Sequence, residues 1–184
     1  MLTQPKTKKY TPEEYLALEE RAEYRSEYED GEIVQMAGGS LSHQRITSNV
    51  SRFIGNKISA DCDSLPSEMK IRVESFKKFY YPDITVFCGE PAFYKKRNDT
   101  ITNPILIVEV LSDTTEAKDR GEKFFAYQTL DSLREYVLIS QNRAVVEQFI
   151  KQPDGSWKYL ATIGLESLLN LESINVGLTL QEIY

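Results

Sequence analysis

Apolar and polar positions alternate along this chain in patterns that assign most of it to strands and helices. Ile105-Leu106-Ile107-Val108-Glu109-Val110-Leu111 is an almost continuous apolar run, the signature of a strand covered on both faces. Phe79 to Cys88 reads as a second strand, with Pro82 inside it hinting at an edge or a bulge because proline has no N–H to donate. Met69, Ile71 and Val73 alternate with Lys70, Arg72 and Glu74, which predicts a half-exposed strand. Glu135-Tyr136-Val137-Leu138-Ile139 predicts a further core strand.

Helical spacing appears in three places. Thr11-Pro12-Glu13-Glu14 combines an N-cap threonine, proline at the first helical position and glutamate at N3, so a short helix is expected from there to about Glu23. Gly38-Gly39-Ser40 breaks the chain before a longer helix that begins near Ser42 and carries Ile46, Val50, Phe53, Ile54 and Ile58 on one face. Ser112 to Glu116 offers several caps for a helix from about Thr115 to Leu130. Between the first two helices, Asp30-Gly31 marks a tight hairpin turn joining the 24–28 and 33–36 segments. Pro153-Asp154-Gly155 marks another turn, joining 144–150 to 157–163, and the segment Gly177 to Tyr184 is expected to fold back on the domain. The order helix, three strands, helix, strand, with β-hairpins added at both ends, implies one α/β domain with a mixed sheet over residues 11–184, preceded by a loose tail over residues 1–10.

Composition sets limits on function. The chain has 184 residues, 41% hydrophobic and 27% charged, within the range of globular domains and enough for one core. No stretch approaches the roughly 18 apolar residues of a membrane span, and residues 1–9 are polar and basic rather than signal-like, so a cytoplasmic location is the expectation. Cys62 and Cys88 are widely separated, which makes a disulfide or a zinc site an unfavoured expectation. With His43 as the one histidine, any metal site must use oxygen ligands, which favours Mg²⁺, Mn²⁺ or Ca²⁺. A net charge of −6 argues against a non-specific nucleic-acid binder. Lys77-Lys78 and Lys95-Lys96-Arg97 are the candidate local basic patches; solvated loop charge is the plainer reading of both.

Glu109 is out of place in its apolar run. An ionised carboxylate there needs a cation, a hydrogen-bond donor or a metal. Asp83 lies on the neighbouring strand-like run, and the helix that follows Glu109 carries Lys123. Two strand-borne acids and a helix lysine suit metal-dependent cleavage of a phosphodiester, which needs charge neutralisation at phosphorus and an activated water. Each group also has a structural reading. Glu109 can be a buried partner of Lys70 or Arg72, Asp83 a strand-end cap, and Lys123 an i,i+4 partner of Asp119.

The segments Glu27-Tyr28-Glu29-Asp30-Gly31-Glu32-Ile33, Ser40-Leu41-Ser42-His43, Tyr81-Pro82-Asp83-Ile84, Val108-Glu109-Val110-Leu111-Ser112, the set Asp119, Lys123 and Tyr127, and Glu135-Tyr136-Val137-Leu138 together resemble the Uma-type family of the PD-(D/E)XK nuclease superfamily. The resemblance runs from about Thr11 to the C-terminus. It implies a restriction-endonuclease-like fold and a Mg²⁺- or Mn²⁺-dependent endonuclease acting on DNA. Asp83, Glu109 and the Val110 carbonyl would be the metal ligands. The superfamily lysine expected two residues after the glutamate is Leu111 here, and the resemblance moves that role to Lys123. Glu27, His43, Asp119 and Tyr127 are then site-lining candidates. Glu68, at the start of a core strand, is a weaker candidate that solvent explains as well. Two other functions remain open: a non-catalytic relative that binds nucleic acid or protein, and a structural domain working as a homodimer through its terminal hairpins.

Overall fold

A computed structural model of the chain describes residues 8–36 and 38–184. The first seven residues of the expected tail fall outside the described residues. In chain order the elements are α1 (Pro12–Glu19), β1 (Ser26–Glu29), β2 (Glu32–Gln35), α2 (Leu41–Lys57), β3 (Cys62–Pro66), β4 (Lys70–Val73), β5 (Lys78–Tyr80), β6 (Ile84–Cys88), β7 (Thr100–Ile101) and β8 (Leu106–Leu111). Then come α3 (Glu116–Lys118), a π-helical turn (Asp119–Lys123), α4 (Phe124–Tyr127), β9 (Glu135–Ser140), β10 (Val145–Lys151), β11 (Trp157–Ile163), β12 (Leu168–Leu171), β13 (Val176–Thr179) and α5 (Leu180–Ile183).

The strands form a six-stranded sheet in the order β11-β10-β9-β8-β6-β3, a five-stranded sheet β2-β1-β5-β4-β7, and a separate β12-β13 pair. Within the large sheet β8 and β9 are parallel, joined through α3 and α4, while β8 and β6 are antiparallel. This is the mixed α/β architecture expected. The period-2 alternation of β8 then divides its side chains. Leu106, Val108 and Val110 face α2, where Ile46, Val50 and Ile54 pack against them with the C-terminal Leu178, Leu180 and Ile183. Each such side chain, fully buried, contributes roughly 1.5–3 kcal/mol. Ile107 and Leu111 face the opposite way, into a core shared with Tyr127, Leu130, Tyr136 and the small sheet's Ile71, Val73, Tyr80 and Ile101. Glu109 projects on this second side.

Four expectations need correction. The 79–88 run is not one strand: it ends in the small sheet at Tyr80 and resumes in the large one at Ile84, with Tyr81, Pro82 and Asp83 crossing between. The proline that hinted at an edge marks this crossing. Secondly, β4 is buried throughout, because Lys70 and Arg72 lie under neighbouring aromatic rings with their charges partnered. Thirdly, Cys62 and Cys88 are disulfide-bonded; the β3–β6 register sets them directly opposite, a proximity that sequence separation could not reveal. Finally, the third helix is interrupted by the π-helical turn and ends at Tyr127 rather than Leu130. Strand β3 itself, short and only partly buried, carries no alternation strong enough to be seen in advance.

Candidate active site

Asp83 and Glu109 meet because of strand register. Ile84 pairs with Val108, and continuing that antiparallel ladder by one residue sets Asp83 opposite Glu109. Glu109 lies on the face of the sheet that looks toward α4 and the small sheet, where Tyr127 meets it, and Asp83, at the end of the ladder, reaches His43 at the start of α2. Their peptides lock the arrangement: Val110 N–H donates to Asp83 Oδ2 at 2.7 Å, and Asp83 N–H reaches Glu109 Oε2 at 3.4 Å.

Lys123 arrives from the π-helical turn. Its Nζ lies 3.0 Å from Glu109 Oε1, 3.2 Å from Glu27 Oε1 and 3.1 Å from Asp119 Oδ1, with the side chain 7% exposed. The Asp119 contact lacks hydrogen-bond geometry. Tyr127 OH donates to Glu109 Oε1 at 3.3 Å. π-Helical turns of this kind recur at functional sites, where the extra residue re-aims a side chain. Glu27 comes from β1, which pairs with β5 so that the hairpin's acids lean over the same side chains. His43, in the first turn of α2, places Nε2 3.2 Å from Asp83 Oδ2.

The sequence-predicted residues Asp83, Glu109, Lys123, Glu27, Asp119, Tyr127 and His43 are thus brought together. Glu68 is not: its side chain is 78% exposed and pairs with Arg25. Lys70 and Arg72 do not partner Glu109 either; they turn to Asp99 and Glu74. The two candidate basic patches are largely engaged in ion pairs, Lys78 with Glu29 and Glu122, Lys95 with Glu13, and Arg97 with Glu20 and Asp99. One member escaped the sequence reading. Lys118 bridges Glu27 and Glu29. A signal existed: Glu27 and Glu29 are two apart on a strand, hence on one face. Lys118 lies five residues before Lys123, and the widened turn brings residues five apart to the same side.

The electrostatics follow from an excess of acid. Among the described residues Lys123 meets Glu27, Glu109 and Asp119, Lys118 meets Glu27 and Glu29, and Asp83 meets His43. Burial pushes the Glu109 carboxyl well above its ordinary value; Lys123 opposes this, while Asp119, Asp83 and Glu27 add to it. Burial works against charge on Lys123, but Glu109 and Glu27 outweigh it and hold the ammonium well above the usual lysine range. Burial likewise raises Glu27, yet Lys123 and Lys118 prevail and its carboxyl is held low. The hydrogen bond to Asp83 raises His43, against burial, with the Val110 carbonyl adding to the rise.

Antiparallel β6 against β8 and parallel β8 against β9 give a mixed α/β fold with the two acids opposed across the first ladder. A solved structure described as a nuclease of the DUF820 family, "putative" in its own description, from Anabaena variabilis, superposes with a TM-score of 0.74 over 95% of this chain and 97% of its own, at 21% identity, a likeness of fold. Residues 12–182 match the Uma2 family, described as "Putative restriction endonuclease", and the chain belongs to that family. Two proteins of Synechocystis sp. described as uncharacterized are also similar: slr1290 is 37% identical over 96% of this chain and 92% of its own length, and sll1609 is 36% identical over 89% and 93%. Among the described residues no helix is long and apolar enough to cross a membrane.

Proposed function

We propose that this protein is an endonuclease that hydrolyses phosphodiester bonds of DNA with Mg²⁺ or Mn²⁺, at the cluster of Asp83, Glu109 and Lys123. The observation that carries the reading is Lys123 Nζ at 3.0 Å from Glu109 Oε1, inside a cluster where Asp83 is the next residue across the ladder.

The donor set suits a hard divalent cation. Lys123 and Tyr127 both use Oε1 of Glu109, leaving Oε2 with only the long contact from Asp83 N–H. Asp83 receives Val110 N–H and His43 at Oδ2. Each acid therefore keeps one oxygen largely free, and the Val110 carbonyl would complete the set. Glu109, Glu27 and Asp119 share the Lys123 ammonium, and Lys118 is divided between Glu27 and Glu29, so the cluster is rich in acid and a divalent cation would offset part of that excess. When bound, the cation supplies charge neutralisation at phosphorus and a more acidic water.

The chain's own residues do the rest. Asp83, in the crossing between the sheets and held by Val110 N–H, and Glu109, on β8 and held by Lys123 and Tyr127, would position the cation and so the water. Glu27 and Asp119 keep the Lys123 ammonium protonated, so it acts as a hydrogen-bond donor and positive charge toward the attacking water or the non-bridging phosphate oxygen. Attack of water oxygen on phosphorus breaks the bond to the 3′ oxygen, which takes up a proton, and leaves a 5′ phosphate.

A second reading has one observation in its favour. Among the described residues, no three His, Cys, Asp or Glu side chains gather at metal-ligand spacing. A catalytically inactive nuclease-fold domain that binds nucleic acid or protein, possible also as a homodimer, would keep this fold without needing the third ligand. Plasmid nicking decides between the two. Nicking that requires Mg²⁺ or Mn²⁺ and is lost in Glu109→Ala supports the endonuclease; no nicking, or nicking that survives the substitution, overturns it.

A further inference from the structure

His43 is held in an unusual way. Its backbone N–H is capped by Ser40 Oγ at 3.1 Å, which fixes the first turn of α2. Its Nε2 reaches Asp83 Oδ2 at 3.2 Å, and the Val110 carbonyl also lies against the ring. Two of the three candidate metal-ligand groups therefore face one imidazole. The other ring nitrogen, Nδ1, is buried and has no hydrogen-bond partner among the described residues. Buried polar atoms are nearly always partnered, so an unpartnered one calls for a reason.

Gly39 supplies it. A Cβ at Gly39 would sit 2.9 Å from His43 Nδ1 and 3.3 Å from Cγ, as well as 2.8 Å from the end of the Gln44 side chain. Gln44 can swing away, whereas the imidazole is pinned between its helix and Asp83. Gly39 is not among the residues with positive φ, so its backbone does not require glycine. What requires glycine there is space, because a side chain at Gly39 would run into the Nδ1 edge of the ring.

We propose that Gly39 and His43 form a positioning pair for Asp83, in which the glycine backbone clamps the imidazole so that Nε2 orients the carboxylate for its cation. His43 is a positioning residue and does not touch the substrate. The inference rests on the metal-site reading given above. It explains why a nitrogen is left unpartnered: a clamped ring whose polar contacts all lie on the Asp83 side has only one way to point.

His43 is the sole histidine, so its ring resonances are identifiable without assignment of the whole protein. The experiment combines those resonances with calorimetric Mn²⁺ affinity and plasmid-nicking kinetics, on variants confirmed as folded by circular dichroism. In the metal-free protein Asp83→Asn and Gly39→Ala should each shift the ring signals. His43→Ala and Gly39→Ala should each lower Mn²⁺ affinity and kcat by about 10–100-fold, the usual effect of losing a partner behind a metal ligand, with KM for DNA little changed. His43→Gln, which returns a donor near the Nε2 position, should restore most of the loss. Adding Gly39→Ala to His43→Ala should cost nothing more. Additive losses, a His43→Gln protein as impaired as His43→Ala, or ring signals blind to Asp83→Asn would overturn the proposal. If Asp83→Asn abolishes Mn²⁺ binding while His43→Ala leaves the affinity unchanged, this proposal alone fails; if Asp83→Asn leaves Mn²⁺ affinity intact, the metal site fails with it.

Discussion

Asp99 and Glu109 are both acids held against the fold, and their surroundings differ in kind. Asp99 receives Lys70 Nζ at 2.6 Å, Arg97 Nε at 2.7 Å and Nη2 at 2.8 Å, and Thr100 Oγ1 at 3.0 Å; Arg97 also reaches Glu20. Two cations face two acids, and every Asp99 oxygen has donors. Burial opposes charge on Asp99, but Arg97 and Lys70 overcome it and hold the carboxyl far below the usual range. Glu109 shares one ammonium with Glu27 and Asp119, and its carboxyl is pushed upward. A balanced group stabilises the fold. An acid-rich group strains it unless something positive is added, and strain of that sort collects where binding or chemistry occurs.

Substitutions can break this contrast. The largest effect is expected on rate: Lys123→Met should slow plasmid nicking by about 10²–10⁴-fold, the scale of losing a proton-handling or charge-stabilising group, while Asp99→Asn leaves the rate unchanged wherever the protein is folded. Equal losses in the two variants would erase the distinction. Next in size, Asp99→Asn should cost about 2 kcal/mol in a denaturant melt, less than the roughly 3–5 kcal/mol of a fully buried pair because the Asp99 side chain is 34% exposed. Its pH signature follows from a depressed folded pKa. The stabilisation is present above the unfolded value near 4 and is lost as pH falls below it, so the wild type should lose stability between about pH 5 and 2 more steeply than the variant.

Neutralising Glu109 should act the other way. Glu109→Gln is expected to leave metal-free stability unchanged or raised by up to about 1 kcal/mol, and to abolish stabilisation by Mg²⁺ in a thermal melt. A clear loss of metal-free stability would make Glu109 an ordinary structural partner. The smallest effect belongs to Glu68, exposed and paired only with Arg25. Glu68→Gln should change stability by no more than about 0.5 kcal/mol and leave nicking intact; a slowed rate would extend the site in a direction the geometry does not support.

Much of this was readable in the chain. The capping box at Thr11 and Glu14 forms as expected, as do the Asp30-Gly31 hairpin and the long helix, which starts at Leu41 where a start near Ser42 was expected. These are local signals, carried by residues a few positions apart. Among the candidate site residues, Glu109 stood out because a carboxylate in a strand covered on both faces is costly, whereas Glu27, His43, Asp119 and Tyr127 became candidates through the family resemblance. What escaped depends on tertiary neighbours. Lys70 and Arg72 read as exposed by alternation, yet their stems lie against Tyr81 and Phe79 with partners for their charges. The Cys62–Cys88 bond follows from a register between strands, one of which carries no clear pattern. The π-helical turn leaves no mark in periodicity short of its own residues, and with it Lys118 was overlooked.

Tyr81, Pro82 and Asp83 carry the main chain from one sheet into the other, and the consequence is mechanical. Glu27 belongs to the small sheet, Glu109 to the large one, and Asp83 sits in the three-residue bridge between them. Anything gripping these carboxylates together would act as a rivet through the joint, stiffening two sheets otherwise linked by short crossings of the main chain, here and at 67–69 and 102–105, and by packed side chains.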